Sequence, residues 1–168
     1  EQQAEASFQK GQWAEAEASY LELLASIEAA EKSVEKLSPE MNRLRLRCWY
    51  QLEQHARQAG RPEDALRFAL RTREALARLP DPEIRLANLL HIAEYRVALS
   101  DDSEARATLQ DLLAGRSGTL KTLPRLKAAY LLGVVDLRAN QLEAANASFV
   151  AIEKDLSKLL DQHRKSSF

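Results

Sequence analysis

The chain has 168 residues, of which 45% are hydrophobic and 29% charged, with a formal net charge of −1. That length can bury a real core but excludes several large domains, and no apolar run reaches the ~18 residues that a bilayer-spanning helix needs. Five Gly and five Pro among abundant Leu, Ala, Glu and Arg point to an all-helical protein, with no run that alternates at the period of a strand.

Residues 2–10 read as a first helix, Gly11 as a turn, and 12–37 as a long helix. Trp13, Ala16, Tyr20, Leu23, Leu24, Ile27, Val34 and Leu37 form one apolar stripe along that helix. In "SPE" (38–40) a capping side chain precedes Pro, with an acid in the first turn, which predicts a helix over 40–58. Gly60 ends it and Pro62 opens a helix over 62–79. "DPE" (81–83) repeats the cap, proline and acid, and starts a helix over 82–99.

Ser100 marks the next turn, and a helix over 102–114 follows. "GRSGTLKT" (115–122) reads as a flexible connector, because it lacks the G-x-x-x-x-G-K-S/T spacing of a phosphate loop and no strand precedes it. Pro124 opens a helix over 124–139, Asn140 turns the chain, and a last helix covers 142–163. Phe149, Ile152, Leu156, Leu159 and Leu160 lie on one side of that helix, with Glu153, Lys154, Lys158 and Asp161 outside, as in a solvating cap. The tail "HRKSSF" reads as a frayed end. The start at Glu1 without Met, and a first helix that is nearly missing, suggest a fragment of a longer protein.

Charge is uneven along the chain. Residues 1–40 hold nine acids and three bases, whereas residues 41–85 hold ten Arg and six acids. This polarity reads as solvated helix faces laced by Glu63 with Arg67 and Glu74 with Arg78. A nucleic-acid binder would be far more basic. Cys48 is the only cysteine, so no intrachain disulfide exists, and it reads as a small core residue in a protein of the reducing cytoplasm.

The turns at 11, 60, 100 and 140 carry one grammar. Gly, Ser or Asn is followed five residues on by Ala16, Ala65, Ala105 or Ala145. A large residue comes four positions later at Tyr20, Leu109 and Phe149. Gly or Asn at the turn tolerates positive φ, and the Ala lets a neighbouring helix come close. One hairpin cannot cover its own apolar face, so such units stack.

The pattern resembles the tetratricopeptide repeats. Trp49 and Leu52 match the first helix of the family's hairpin, as do Leu132 and Gly133. Gly11, Ala16 and Tyr20 match its second helix, as do Ala145 and Phe149. The spacing of 40 between the last turns is longer than the family's usual period, as in the elongated repeats of bacterial regulators and kinesin light chains. Glu53 stands where the family places a small residue. The resemblance implies an all-α, right-handed solenoid of antiparallel hairpins, with seven to eight helices. It would form a single domain over 1–168, with about four repeats at 1–37, 40–79, 82–114 and 124–163.

In that family the first helix of each hairpin lines a concave face. The 40-residue register then aligns four rows: Arg47, Ala87 and Lys127; Tyr50, Leu90 and Tyr130; Gln54, Glu94 and Val134; Arg57, Val97 and Leu137. An aromatic and apolar stripe flanked by bases suits an extended or helical peptide with apolar anchors and some acids. Packing between neighbouring hairpins is the competing reading of the same rings. The Lys, Asn and Arg clamp by which some members hold chaperone C-termini is absent from these rows.

His55, His91 and His163 are scattered, without metal-ligand spacing, and no Ser–His or paired-carboxylate arrangement can be placed. The sequence therefore points to a protein-interaction scaffold that is not an enzyme, carries no cofactor or metal, and binds a protein or peptide. Neither nucleic acid nor membrane insertion is expected. Arg over Lys and Ala-rich helices suggest a bacterial regulator or assembly factor. An effector-sensing domain that controls oligomerisation is the alternative, with Gln54, Arg57 and Glu94 as its polar candidates. Self-association through the N-terminal face is a third.

Overall fold

The structure is a computed structural model that describes residues 12–34, 37–77 and 81–166, together with Gln2, Glu5 and Ser7. Seven helices make up the described residues: α1 (Trp13–Ser33), α2 (Pro39–Gln58), α3 (Pro62–Leu76), α4 (Pro82–Ala98), α5 (Asp102–Leu113), α6 (Thr122–Arg138) and α7 (Leu142–Ser166). The expectation of an all-α chain of neighbouring, mutually packed helices holds. Two compact units divide it, residues 1–81 and 82–168, with the boundary at the junction of the second and third predicted repeats. In the first unit α2 packs against α1 and α3; in the second α5 packs against α4 and α6, and α6 also against α4 and α7.

The helix bounds follow the capping chemistry. Ser38 accepts the Met41 amide at 3.2 Å ahead of Pro39, as the cap signal predicts. Three bounds differ from expectation, one of them the end of α7, which runs to Ser166 and so takes in residues of the tail read as a frayed end. α1 stops at Ser33, not at 37, where Val34 takes an extended conformation and Ser33 Oγ bonds back to the Ala30 carbonyl at 2.8 Å. α6 begins at Thr122, two residues before Pro124, since proline's missing amide costs nothing in a first helical turn. The predicted helix over 2–10, its turn at Gly11 and residues 78–79 lie wholly or largely outside the described residues.

Three turns are built alike. Gly60, Ser100 and Asn140 have φ of 68°, 60° and 57°. Each donates its amide to the carbonyl three residues back, at 3.0 to 3.2 Å. The next residue's amide reaches the carbonyl five back, at 2.8 to 2.9 Å. This closure ends the helix on satisfied carbonyls. The carbonyls of Arg61, Asp101 and Gln141 then accept the amides of Ala65, Ala105 and Ala145, and a new helix is under way. Ala65, Ala105 and Ala145 are buried, and so is Ala16 in α1.

Volume is shared across each hairpin. A Cβ on Gly133 would lie 2.7 Å from Phe149 Cε1, so the ring of α7 occupies the place of a side chain on α6. One repeat earlier the same two positions hold Ala93 and Leu109, both fully buried. In the first unit they hold Glu53 and Ala69, again fully buried. The larger the residue on the first helix, the smaller its opposite on the second. This accommodates the Glu53 that departs from the repeat pattern.

Polar ties fix the first turns of α1 and α5 to the chain that follows within each unit. Glu17 on α1 meets Arg61 at 2.8 Å and His55 Nδ1 at 3.2 Å, and the Trp13 ring stacks on His55 with centroids 5.3 Å apart. At the equivalent place on α5, Arg106 meets the buried Asp136 of α6 at 2.9 Å, and Asp102 meets Arg138 at 3.1 Å. On α3, Arg67 pairs with Asp64 rather than Glu63, and Glu74 with Arg71; Arg78 lies outside the described residues. Such exposed pairs contribute little, ~0.5 kcal/mol each. Cys48 is buried, as expected.

Trp13, Val34, Leu156 and Leu160 depart from their predicted places in apolar stripes, being 40%, 48%, 45% and 61% exposed. Trp13 keeps one face of its ring on His55 of α2, and Val34 lies past the end of α1. On α7 Leu156 and Leu160 are exposed, whereas Ile152 and Leu159 of the same stripe are half-buried.

Burial lowers the pKa of His55, and Arg61 adds to this, while Glu17 opposes it. A lowered folded value means that the unfolded chain binds more protons, so stability is present above about pH 6.5 and is lost as pH falls through the folded value. Chemical denaturation from pH 7.5 down to 5.5 should show a declining midpoint, with a shallower decline in His55→Gln. The Gly133 contact supplies a second test. Gly133→Ala should cost roughly 1 to 3 kcal/mol through overpacking, and adding Phe149→Leu, which copies Ala93 with Leu109, should recover most of it in urea melts.

Candidate binding cleft of the second unit

Within the second unit a cleft of about 450 Å³ opens beside the first turns of α4 and α6. Its walls are Leu86, Ala87, Leu90 and His91 of α4, Leu123, Pro124 and Lys127 of α6, and Thr119, Leu120 and Lys121 of the segment between α5 and α6. That segment is more than the bare connector it resembles in sequence. Gly115, at φ 71°, closes α5 as Gly60 closes α2, but no helix follows at once. The chain instead passes Gly118, where a Cβ would lie 3.2 Å from Leu86 Cδ1, and Leu120 packs against the core. The missing side chain of Gly118 is what lets the segment lie against α4. No sequence signal marked this, since the close approach depends on Leu86, 32 positions earlier in the chain.

Two ion pairs edge the cleft. Lys127 Nζ lies 2.6 Å from Glu94, both partly buried, and Lys121 lies 3.0 Å from Glu83, both well exposed. The floor is apolar: Leu86 and Leu90 are 7% and 5% exposed and belong to the core cluster with Val97, Leu109 and Val135. Leu123 stands 70% exposed at the rim. The result is an apolar trough with charge at its edge, of a size and character that binding sites share.

The predicted rows fall on both units. Leu90 and Lys127 come together in this cleft, and Glu94 joins them through its ion pair with Lys127. Val97 is buried in the core, and Val134 is half-buried against it, so both serve packing. Tyr130 is 55% exposed with its ring 6.4 Å from that of Phe149, and Leu137 is 48% exposed near the end of α6. In the first unit, Arg47, Tyr50 and Arg57 are exposed on α2. Gln54 is half-buried, with its amide nitrogen buried and without a partner among the described residues.

Among the described residues no group of three His, Cys, Asp or Glu side chains could hold a metal, and no helix is long and apolar enough to cross a membrane. His55 lies in the first unit and His91 beside Tyr95 on α4, while the side chain of His163 is outside the described residues. No protein-family model matches the chain, and no curated protein matches it.

Proposed function

We propose that this chain is a tetratricopeptide-like interaction scaffold, and that the second unit seats an apolar anchor of a partner peptide or helix in the cleft between α4, α6 and the segment joining α5 to α6. The observation that carries this reading is the apolar floor of Leu86 and Leu90 with the exposed Leu123 beside it. Burying one large apolar side chain there would contribute ~1.5 to 3 kcal/mol. Lys127 and Lys121 favour acids next to the anchor, and their pairing with Glu94 and Glu83 holds them in place before a partner arrives. Tyr50, Arg47 and Arg57 offer a polar and aromatic surface on α2 for the same or another partner segment.

The cleft volume also supports a second reading, a small effector held in place of a peptide. Melting the chain against a metabolite set separates the two, because a bound effector raises the melting temperature with no peptide present.

Selection of displayed peptides on the whole chain tests the scaffold reading. Enriched peptides should share an apolar anchor with neighbouring acids. Their affinity should fall about tenfold, or ~1.4 kcal/mol, in Leu123→Asp and in Lys127→Glu, two surface changes that leave helicity intact. Peptides that bind both variants as tightly as the parent chain would overturn it.

A further inference from the structure

The two hairpins of the second unit keep one register. At an offset of 40, α4 falls on α6 from end to end, and the start of α5 falls on the start of α7. The first hairpin holds a helix on its face, because α6 packs on both α4 and α5. There Leu90 and Val97 of α4 and Leu109 and Leu112 of α5 join Ala128, Leu131 and Val135 of α6 in one core cluster. Four ion pairs edge that contact: Glu83 with Lys121, Glu94 with Lys127, Asp102 with Arg138 and Arg106 with Asp136.

On the hairpin of α6 and α7 the equivalent face is open, since within the second unit α7 packs against α6 alone. Tyr130 and Leu137 are 55% and 48% exposed where Leu90 and Val97 are 5% and 6%. Phe149 and Ile152, in the places of Leu109 and Leu112, are half-buried. The four charged positions have become Leu123, Val134, Leu142 and Asn146. Residues seven apart drift by only ~20° around a helix. Leu123, Tyr130 and Leu137 therefore share one side of α6, and Leu142, Phe149 and Leu156 share one side of α7. The rings of Tyr130 and Phe149, 6.4 Å apart, join the two stripes into one face.

We infer that this face pairs with the same face of a second copy of the chain across a two-fold axis. A further helix of α6's kind fits it badly. The equivalents of Lys121, Lys127, Arg138 and Asp136 would meet Leu123, Val134, Leu142 and Asn146 in place of their ion-pair partners. Transient partners meet on surface about as polar as the rest of a protein, whereas homodimer interfaces are more apolar. A face stripped of charge is also its own complement, as a two-fold pairing requires. Lys127 and Glu153, on its border, are opposite in sign, so crosswise contact between copies attracts. The 17 residues of α6 run ~25 Å, and with α7 alongside they give a flat footprint on the order of 500 Å². Side-chain relief brings that toward the ~800 Å² per partner that a stable dimer buries. The inference does not depend on the cleft beside α4.

Sedimentation velocity on the whole chain, from micromolar to millimolar, should show the 18.9 kDa species giving way to one of twice that mass. Leu137→Asp with Leu142→Asp, two exposed positions outside the α4 cleft, should weaken the dimer by about tenfold or more with helicity kept. Leu21→Asp, at an exposed leucine of α1, should leave it unchanged. Hydrogen exchange on the parent chain needs no variant: concentrating the sample should raise protection in α6 and α7 and not in α1. A monomer across the whole range would overturn the inference. So would a dimer whose added protection lies outside α6 and α7, or one that the folded double variant forms as tightly as the parent chain.

Discussion

A single residue forced into left-handed backbone sets the periodicity of this protein. At Gly60, Ser100 and Asn140 the chain takes positive φ, and two amide bonds close the end of one helix before the next begins. Only glycine adopts that conformation freely, and for other L-residues it costs roughly 1 kcal/mol, least for Asn and Asp. Ser100 shows that the fold demands the conformation strongly enough to impose it on a residue with a Cβ. Equal turns 40 residues apart then place equal helix faces at equal positions. The buried alanines five residues after each turn follow from that register, as do the shared volumes of Ala93 with Leu109 and Gly133 with Phe149.

A fixed frame makes departures from it informative. Glu53 breaks the small-residue rule on α2 and is buried opposite Ala69, the smallest of the three residues at that place. The shortened α5 and the segment after it break the helix-turn-helix rhythm, and they form the wall of the α4 cleft. The end of α5 at Leu113 thus shapes that wall of the second unit.

Much of the fold was legible because its signals are local. Turn residues, prolines in first turns and apolar spacing act within one helix length, and they place six of the seven helices to within about three residues at each end. α1 ran short because no local rule weighed the extended Val34 against an apolar stripe that continued past it. α7 runs longer than predicted, to Ser166. The site was legible only in part. Register alone placed Leu90 and Lys127 on facing helices, where they do share a cleft. Register could not tell that Val97 would be core and Tyr130 surface, since that depends on which neighbour covers each turn of helix. The contact of Gly118 with Leu86 was invisible for the same reason: it is set by packing across the unit, not by spacing.

The turns set the register of the helices, and a comparison of substitutions at Ser100 probes them most directly. Urea denaturation would be measured for Ser100→Gly and Ser100→Val against the parent chain. A left-handed turn predicts that Gly stabilises by about 0.5 to 1 kcal/mol, while the β-branched Val destabilises by 1 kcal/mol or more. Gly that destabilises, with Val neutral, would show that Ser100 is not in left-handed backbone and would remove the basis for the 40-residue register.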